Sequence, residues 1–237
     1  MASKAAKEIT ARLKNAGSKE QAKVLSRFFK CAPGCYGEGD KFLGVKVPVT
    51  RSMVKEALPC MTLTDVRELL ASEWHEVRLA GFLTLVEFYR KAEKRKEEKS
   101  CEEITDFYLD SLEKCNNWDL VDLSAPHILG KQALIDERAL CKIYNLSDDS
   151  RLWHRRVGVV ATMTLIKNGR CDIIYEIAPR QFEYQHDLIR KATGWMLREA
   201  GKIDKEKLIQ FLEENEKIMP RTTYRYATEI INRKAVD

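Results

Sequence analysis

The chain repeats the octapeptide Arg78-Leu-Ala-Gly-Phe-Leu-Thr-Leu85 in related form three more times. The related segments are Arg156-Val-Gly-Val-Val-Ala-Thr-Met163, Lys191-Ala-Thr-Gly-Trp-Met-Leu-Arg198 and Arg225-Tyr-Ala-Thr-Glu-Ile-Ile-Asn232. Each begins with a basic residue and continues with small and apolar residues. The starts are spaced by 78, 35 and 34 positions, so the first gap would hold one further unit near residue 117. Regular spacing of this kind indicates a repeat protein.

The hydrophobic pattern around these segments is helical. Alternation typical of strands is rare. The residues Asn168-Gly169 predict a helix end, and Thr62 or Thr64 predicts a helix start. HEAT and armadillo units run to about 40–47 residues, so these repeats are short or HEAT-like. The sequence therefore predicts an all-α, HEAT-like repeat α-solenoid of stacked antiparallel helix pairs with a concave face.

Length and composition predict one domain over residues 1–237, because the chain is 44% hydrophobic and long enough to bury a core. No apolar run approaches the roughly 18 residues of a membrane span, and the start Met1-Ala-Ser-Lys4 lacks the apolar segment of a secretory signal. We therefore expect a cytoplasmic protein without a membrane partner. The seven cysteines are scattered without a C-x-x-C pair, so we expect neither disulfides nor a bound metal.

The net charge of +5 is unevenly distributed. From Arg151 onward the chain has 17 basic and 12 acidic residues, whereas the part before it is balanced. Such an excess is compatible with a nucleic-acid partner. If the second helix of each pair lines the concave face, four bases would form a ladder along one groove: Arg78, Arg156, Lys191 and Arg225. Any single one of these basic residues could be an ordinary surface charge. Four basic residues at the same position of successive repeats favour a groove that binds phosphates.

The unit near residue 117 departs from this pattern. It reads Cys115-Asn-Asn-Trp-Asp-Leu-Val-Asp-Leu-Ser-Ala-Pro-His127, with two acids where the other units carry a base. If one of the two asparagines is the N-cap, Trp118 and Asp122 stand four apart on one helical face. Asp119 is interpreted as stabilising the helix N-terminus, and core packing is an alternative role for Trp118. Asp122 remains as the candidate functional carboxylate.

Several segments carry a resemblance to a known family. Asn117-Trp-Asp-Leu-Val-Asp122, Leu152-Trp-His-Arg-Arg156 and Lys191-Ala-Thr-Gly-Trp-Met-Leu-Arg-Glu199 are similar, in order and spacing, to signature segments of the AlkD-like DNA alkylation repair family. Phe42-Leu-Gly-Val-Lys-Val-Pro-Val-Thr-Arg51 resembles its N-terminal segment, so the likeness covers nearly the whole chain. It implies a HEAT-like α-solenoid with DNA glycosylase activity on N3- and N7-alkylated purines in double-stranded DNA, without metal or organic cofactor.

The resemblance also implies roles for individual residues. Asp122 matches the catalytic carboxylate, and Trp118 and Trp195 match two aromatic residues that pack against the sugar and backbone of the lesion. Arg156 matches a basic residue that contacts the DNA backbone. The chain departs from the family in its Arg155-Arg156 pair, of which Arg155 is also expected to bind DNA, and in having an asparagine directly before Trp118.

The chemistry of the implied reaction suits these residue types. An alkylated purine already carries positive charge, so it can leave without a general acid while charge moves onto the sugar. A carboxylate beside that sugar stabilises the developing cation and can orient the attacking water. Tryptophan faces attract a cation by about 0.5–2 kcal/mol per contact. We therefore expect activity restricted to cationic lesions, and the resemblance implies that the base is not extruded into a deep pocket.

Two other functions remain open at this point. The fold class alone also fits a DNA-binding repeat protein without catalysis, or a protein scaffold. A binder without chemistry would tolerate asparagine at position 122, because a carboxylate in a phosphate-binding groove weakens binding. The sequence thus favours the enzyme, and a monomer is expected because an open concave face needs no second subunit.

Overall fold

A computed structural model describes residues 4–232 and shows an all-α protein. Outside its helices the described chain forms turns and one isolated bridge between Lys41 and Trp74. The chain divides into two compact units, one ending at Ser124 and the other beginning at Ala125. The predicted fold class is confirmed as all-α and consistent with a helical repeat fold, whereas a single domain over the whole chain stays a prediction.

The first unit contains helices that pack around the long α5. Its α-helices are α1 (Lys4–Ala16), α2 (Lys19–Phe28), α3 (Val47–Ala57), α4 (Leu63–Leu70), α5 (His75–Arg95), α6 (Glu98–Asp110) and α7 (Trp118–Asp122). Short 3-10 helices lie at Leu58–Cys60 and Leu112–Lys114.

Local sequence explains where α4 and α5 begin and end. The Thr62 side chain accepts a hydrogen bond from the Asp65 backbone N–H, and the Asp65 carboxylate accepts one from the Thr62 backbone N–H, which completes a capping box. The helix α5 is buried continuously over its first three turns, so it forms the centre of the unit. It ends at Lys96, whose backbone is left-handed with φ of 56°, and α6 begins two residues later.

The second unit pairs its helices in the order that the octapeptides predict. Its α-helices are α8 (Leu129–Gln132), α9 (Glu137–Ser147), α10 (Leu152–Lys167), α11 (Asp172–Ile177), α12 (Asp187–Gly201), α13 (Lys205–Asn215), α14 (Arg221–Ala227) and α15 (Glu229–Asn232). Short 3-10 helices lie at Ala125–His127 and Ala178–Gln181. The helices α10, α12 and α14 pack against each other in chain order, which places the second and third octapeptides in neighbouring helices. The fourth octapeptide begins at the end of α14 and continues into α15.

Small residues in the octapeptides allow this close packing. A Cβ atom on Gly158 of α10 would lie 2.3 Å from the backbone nitrogen of Ser147 at the end of α9. A Cβ atom on Gly194 of α12 would lie 2.5 Å from the carbonyl oxygen of Thr223 in α14. The small side chains that mark the repeat are therefore contact points between helix backbones.

Among the helices between residues 4 and 232, none combines the length and the apolar character that a membrane span requires.

Candidate functional site

The site is built around the short helix α7. Asn117 is its N-cap, and the Asn117 side-chain oxygen accepts a hydrogen bond of 2.9 Å from the backbone N–H of Trp118. Both Trp118 and Asp122 line one cavity of about 410 Å³ in the first unit. The two residues that helix spacing places on one face therefore line the same cavity, and the N-cap is the second of the two asparagines.

Apolar and aromatic side chains form most of this cavity. Phe29 stacks on Trp118 with ring centroids 5.0 Å apart, and Phe28 meets Trp118 edge-on at 5.7 Å. Phe42 continues the stack on the other side of Phe29, also at 5.0 Å. The volume falls in the range of small-ligand sites. We refer to this space as the aromatic cavity.

The aromatic cavity is also lined by His75 and Asp119, which belong to a buried polar network. His75 is only 1% exposed, and its Nδ1 lies 2.7 Å from a carboxylate oxygen of Asp40 while its Nε2 lies 2.9 Å from one of Asp119. Asp40 also accepts hydrogen bonds from Arg78 and from the side-chain amide of Asn117. We call these five residues the Asp40–His75–Asp119 network.

The charges of this network perturb one another. Burial alone would lower the pKa of His75, but the neighbouring carboxylates of Asp119 and Asp40 raise the pKa to about 9. Burial alone would raise the pKa of Asp40, yet His75 and Arg78 together hold that pKa below its ordinary value. The imidazole of His75 is therefore protonated at neutral pH and bridges two carboxylates.

Glu76, the residue after His75, holds another part of the cavity lining in place. The Glu76 carboxylate accepts hydrogen bonds from three consecutive backbone amides, those of Leu43 (2.9 Å), Gly44 (2.8 Å) and Val45 (3.1 Å). The backbone at Gly44 has φ of 87°, and a Cβ atom there would lie 2.1 Å from the carbonyl oxygen of Ser18. This glycine thus allows the segment to wrap around a buried carboxylate.

Arg78 differs from the expectation of a base that faces DNA. It is 6% exposed, and its guanidinium donates to Asp40, to the side chain of Asn116 at 3.1 Å and to the carbonyl oxygen of Ser72 at 2.9 Å. A guanidinium enclosed by internal acceptors is not presented to a phosphate. In this structure Arg78 has a structural role, and its expected contact with DNA stays a prediction.

Arg155 in the second unit is enclosed in the same way. It is 9% exposed and donates to the carbonyl oxygens of Asp148 (2.9 Å) and Asp149 (2.7 Å) and to the side chain of Gln181 (3.0 Å), with Tyr184 packed against its guanidinium. These contacts hold the end of α9 to the start of α10. A contact of Arg155 with DNA stays a prediction.

Arg156 is also buried, at 5% exposed, and donates to the carbonyl oxygen of Leu188 at 2.7 Å. That bond connects α10 to the first turn of α12. A backbone contact of Arg156 with DNA stays a prediction.

The remaining predicted residues are more accessible. Arg225 is exposed on α14 beside the ring of Tyr226. Lys191 is half-buried and pairs with Asp187 at 2.6 Å, and Trp195 is half-buried one turn further along α12. These residues lie in the second unit, whereas Trp118 and Asp122 lie in the first, so a joint arrangement of the two groups stays a prediction.

Sequence reasoning missed the Asp40–His75–Asp119 network and the phenylalanines of the aromatic cavity. The only local signal was the first acid of the α7 segment, Asp119, which was interpreted as a helix-terminus charge. Its Oδ1 does accept the backbone N–H of Leu120 at 2.9 Å, while its other oxygen contacts His75. The carboxylate therefore has a tertiary partner that spacing along the chain does not reveal.

Comparisons with known proteins agree with one another. The family described as DNA alkylation repair enzyme matches residues 9–231. A solved structure, described as a predicted DNA alkylation repair enzyme from Enterococcus faecalis, superposes with a TM-score of 0.71 at 17% identity, covering 90% of this chain and 95% of that one. At this identity the likeness shows the fold. No curated protein sequence matches the chain significantly.

Proposed function

The chain belongs to the family of DNA alkylation repair enzymes, and from that membership we propose that it is a DNA glycosylase. The proposed reaction is hydrolysis of the bond between the sugar and a cationic N3- or N7-alkylated purine in double-stranded DNA. The family assigns the chain to repair of alkylated DNA. The reaction type and the lesion class are the proposal.

The observation that supports the proposal best is that Asp122 and Trp118 both line the aromatic cavity, most of whose lining is apolar. An apolar wall lowers the local dielectric constant, so a carboxylate there interacts more strongly with a nearby cation than it would in water. The sugar of a departing alkylpurine becomes such a cation. Asp122 would stabilise that charge and orient the attacking water, and Trp118 would cover the sugar.

The second unit would hold the DNA. Arg225 is exposed and Lys191 partly so, which suits contact with phosphates. Trp195 and Arg156 are proposed to contact the lesion's sugar and its backbone, by their resemblance to the family's positions. Neither role needs a metal or a cofactor.

The experiment is release of free base from methylated duplex DNA by the purified protein, with a chelator present. We expect Asp122→Asn to abolish release, since an amide cannot balance the charge of the sugar cation. DNA binding should persist or become tighter, because a negative charge is removed from near the phosphates.

The matched control is Asp106→Asn, which removes an exposed carboxylate from α6 in the same unit. It should release base at the rate of the unaltered protein. Unchanged release by Asp122→Asn would remove Asp122 from the mechanism. Binding to methylated DNA without any release by the unaltered protein would instead support a non-catalytic DNA-binding protein.

A further inference from the structure

The helix that carries Trp118 and Asp122 is too short to define its own position. It has five residues, and isolated helices shorter than about 12–15 residues are marginal in water. Its direction must therefore come from contacts with the rest of the unit.

Two of those contacts involve the buried pair formed by Asp40 and His75. The N-cap residue Asn117 donates to Asp40 at 3.3 Å, and Asp119 in the first turn of α7 contacts the Nε2 of His75 at 2.9 Å. The other ring nitrogen of His75 contacts Asp40 at 2.7 Å. The imidazole therefore completes a connection from the Asp40 loop through α5 to α7.

From this geometry we propose that His75 is a positioning residue, which holds α7 so that Trp118 and Asp122 face the aromatic cavity in the arrangement that base excision needs. The proposal rests on the proposed glycosylase function for its kinetic consequence. The link between His75 and α7 is a property of the unliganded protein.

Charge supports the same role. Asp119 and Asp122 stand three apart on one short helix, where like charges repel. The network contains two carboxylates, Asp40 and Asp119, and two cations, His75 and Arg78, so its charges balance. A protonated His75 thus keeps Asp119 from adding a net negative charge beside Asp122.

Neutral glutamine is the informative replacement, because one side-chain amide cannot donate to two carboxylates on opposite sides. We expect His75→Gln to reduce the single-turnover rate of N3-methyladenine release by on the order of 100-fold, the size that a misplacement of about 1 Å can cause. The affinity for the same DNA should change less than about threefold, since His75 is enclosed and does not contact DNA. His127→Gln, outside the network, is the matched control and should keep its rate.

A second readout needs no substrate. In protein with ¹⁵N-labelled histidine and tryptophan, His75 should give two downfield ring N–H signals at neutral pH, identified by their loss in His75→Gln. Asp119→Asn should move the signal of the Nε2 proton more than that of the Nδ1 proton. Asp119→Asn should also shift the indole signal of Trp118, which Trp118→Phe identifies, because α7 loses a charged anchor.

The outcomes separate the two proposals. An unaltered protein that releases no base would refute the glycosylase function, while the ring N–H signals still decide the link to α7. A folded His75→Gln protein with an unchanged release rate would overturn the positioning role. So would an Asp119→Asn spectrum in which neither the His75 nor the Trp118 signals move, even if His75→Gln alone proved too unstable to assay.

Discussion

Trp118 has aromatic neighbours on two sides, with Phe29 stacked on its ring and Phe28 at its edge. This packing fixes the ring plane, since an aromatic side chain enclosed by others has few alternative rotamers. A fixed ring can stabilise a cation without first being ordered. The packing role and the functional role of Trp118 are therefore compatible.

Trp118→Leu tests the contribution of that ring. Leucine keeps an apolar side chain in the cavity but removes the π-face, which is worth about 0.5–2 kcal/mol to a nearby cation. We expect excision of N7-methylguanine to slow by about 2- to 30-fold, with a smaller loss of DNA affinity. Adding Trp195→Leu should slow excision further if that ring also contacts the sugar.

The dependence of the reaction on lesion charge can be measured by comparing two duplexes that differ only in the damaged base. Single-turnover rates with N7-methylguanine should greatly exceed those with hypoxanthine, which leaves only after protonation. Similar rates on the two duplexes would show that a general acid operates and that selectivity does not come from lesion charge.

The sequence predicts part of the site at residue level. The relation between Trp118 and Asp122 follows from helix periodicity and a recognisable N-cap, so it is visible in six consecutive residues. His75 and Asp40 contact each other across 35 positions, and His75 and Asp119 across 44. No local pattern encodes such pairings, because they depend on how the helices pack.

At the scale of elements, the basic residues near the starts of second helices have a shared task. Arg78 in α5 donates to the carbonyl oxygen of Ser72 in the turn after α4, and Arg155 in α10 donates to those of Asp148 and Asp149 after α9. The last carbonyl groups of a helix lack partners within it. These arginines satisfy carbonyl groups between the paired helices, which gives both of them a structural role.

Two glycines test how tightly the helix pairs are packed. Gly158→Ala would place a Cβ atom against backbone atoms of α9, including the Ser147 nitrogen at 2.3 Å, which cannot move independently. We expect a loss of stability of about 1–3 kcal/mol, visible as a lower thermal midpoint.

A glycine one position later in the octapeptide of α5 provides the contrast. Gly81→Ala would meet the tip of the Leu70 side chain at 2.8 Å, which can change rotamer. The higher helix propensity of alanine offsets the remaining cost, so the midpoint should change little. Equal losses at Gly81 and Gly158 would mean that backbone contact does not limit the packing of α9 and α10.

At the scale of the whole molecule, the surplus of basic residues after position 150 predicts salt-dependent DNA binding. Each phosphate contact contributes about 0.9 to the slope of log K against log salt concentration. Arg225→Gln should reduce the slope by about that amount, because Arg225 is exposed. Lys142→Gln, which removes an exposed lysine from α9, should leave the slope unchanged. Identical slopes for the Arg225 variant and the unaltered protein would exclude a phosphate contact there.

The Asp40–His75–Asp119 network also makes stability depend on pH. The pKa of His75 is raised from 6.5 to about 9, so its stabilisation is complete below pH 6.5 and is lost as pH rises through about 9. Asp40 has a lowered pKa, and its contribution is lost only as pH falls into the acid range. Urea unfolding should therefore show a decline in stability from pH 6.5 to 9 that is smaller in His75→Gln. Parallel declines in both proteins would assign the effect to other groups.

The division of the chain after Ser124 has a consequence for how such proteins diversify. Every residue that lines the aromatic cavity precedes that point, whereas the accessible bases Lys191 and Arg225 follow it. Under the proposed function, inherited changes among the cavity residues alter how fast a lesion is processed, and changes at these two bases alter how long DNA is retained. Selection can then act on turnover and on residence time through separate stretches of the gene.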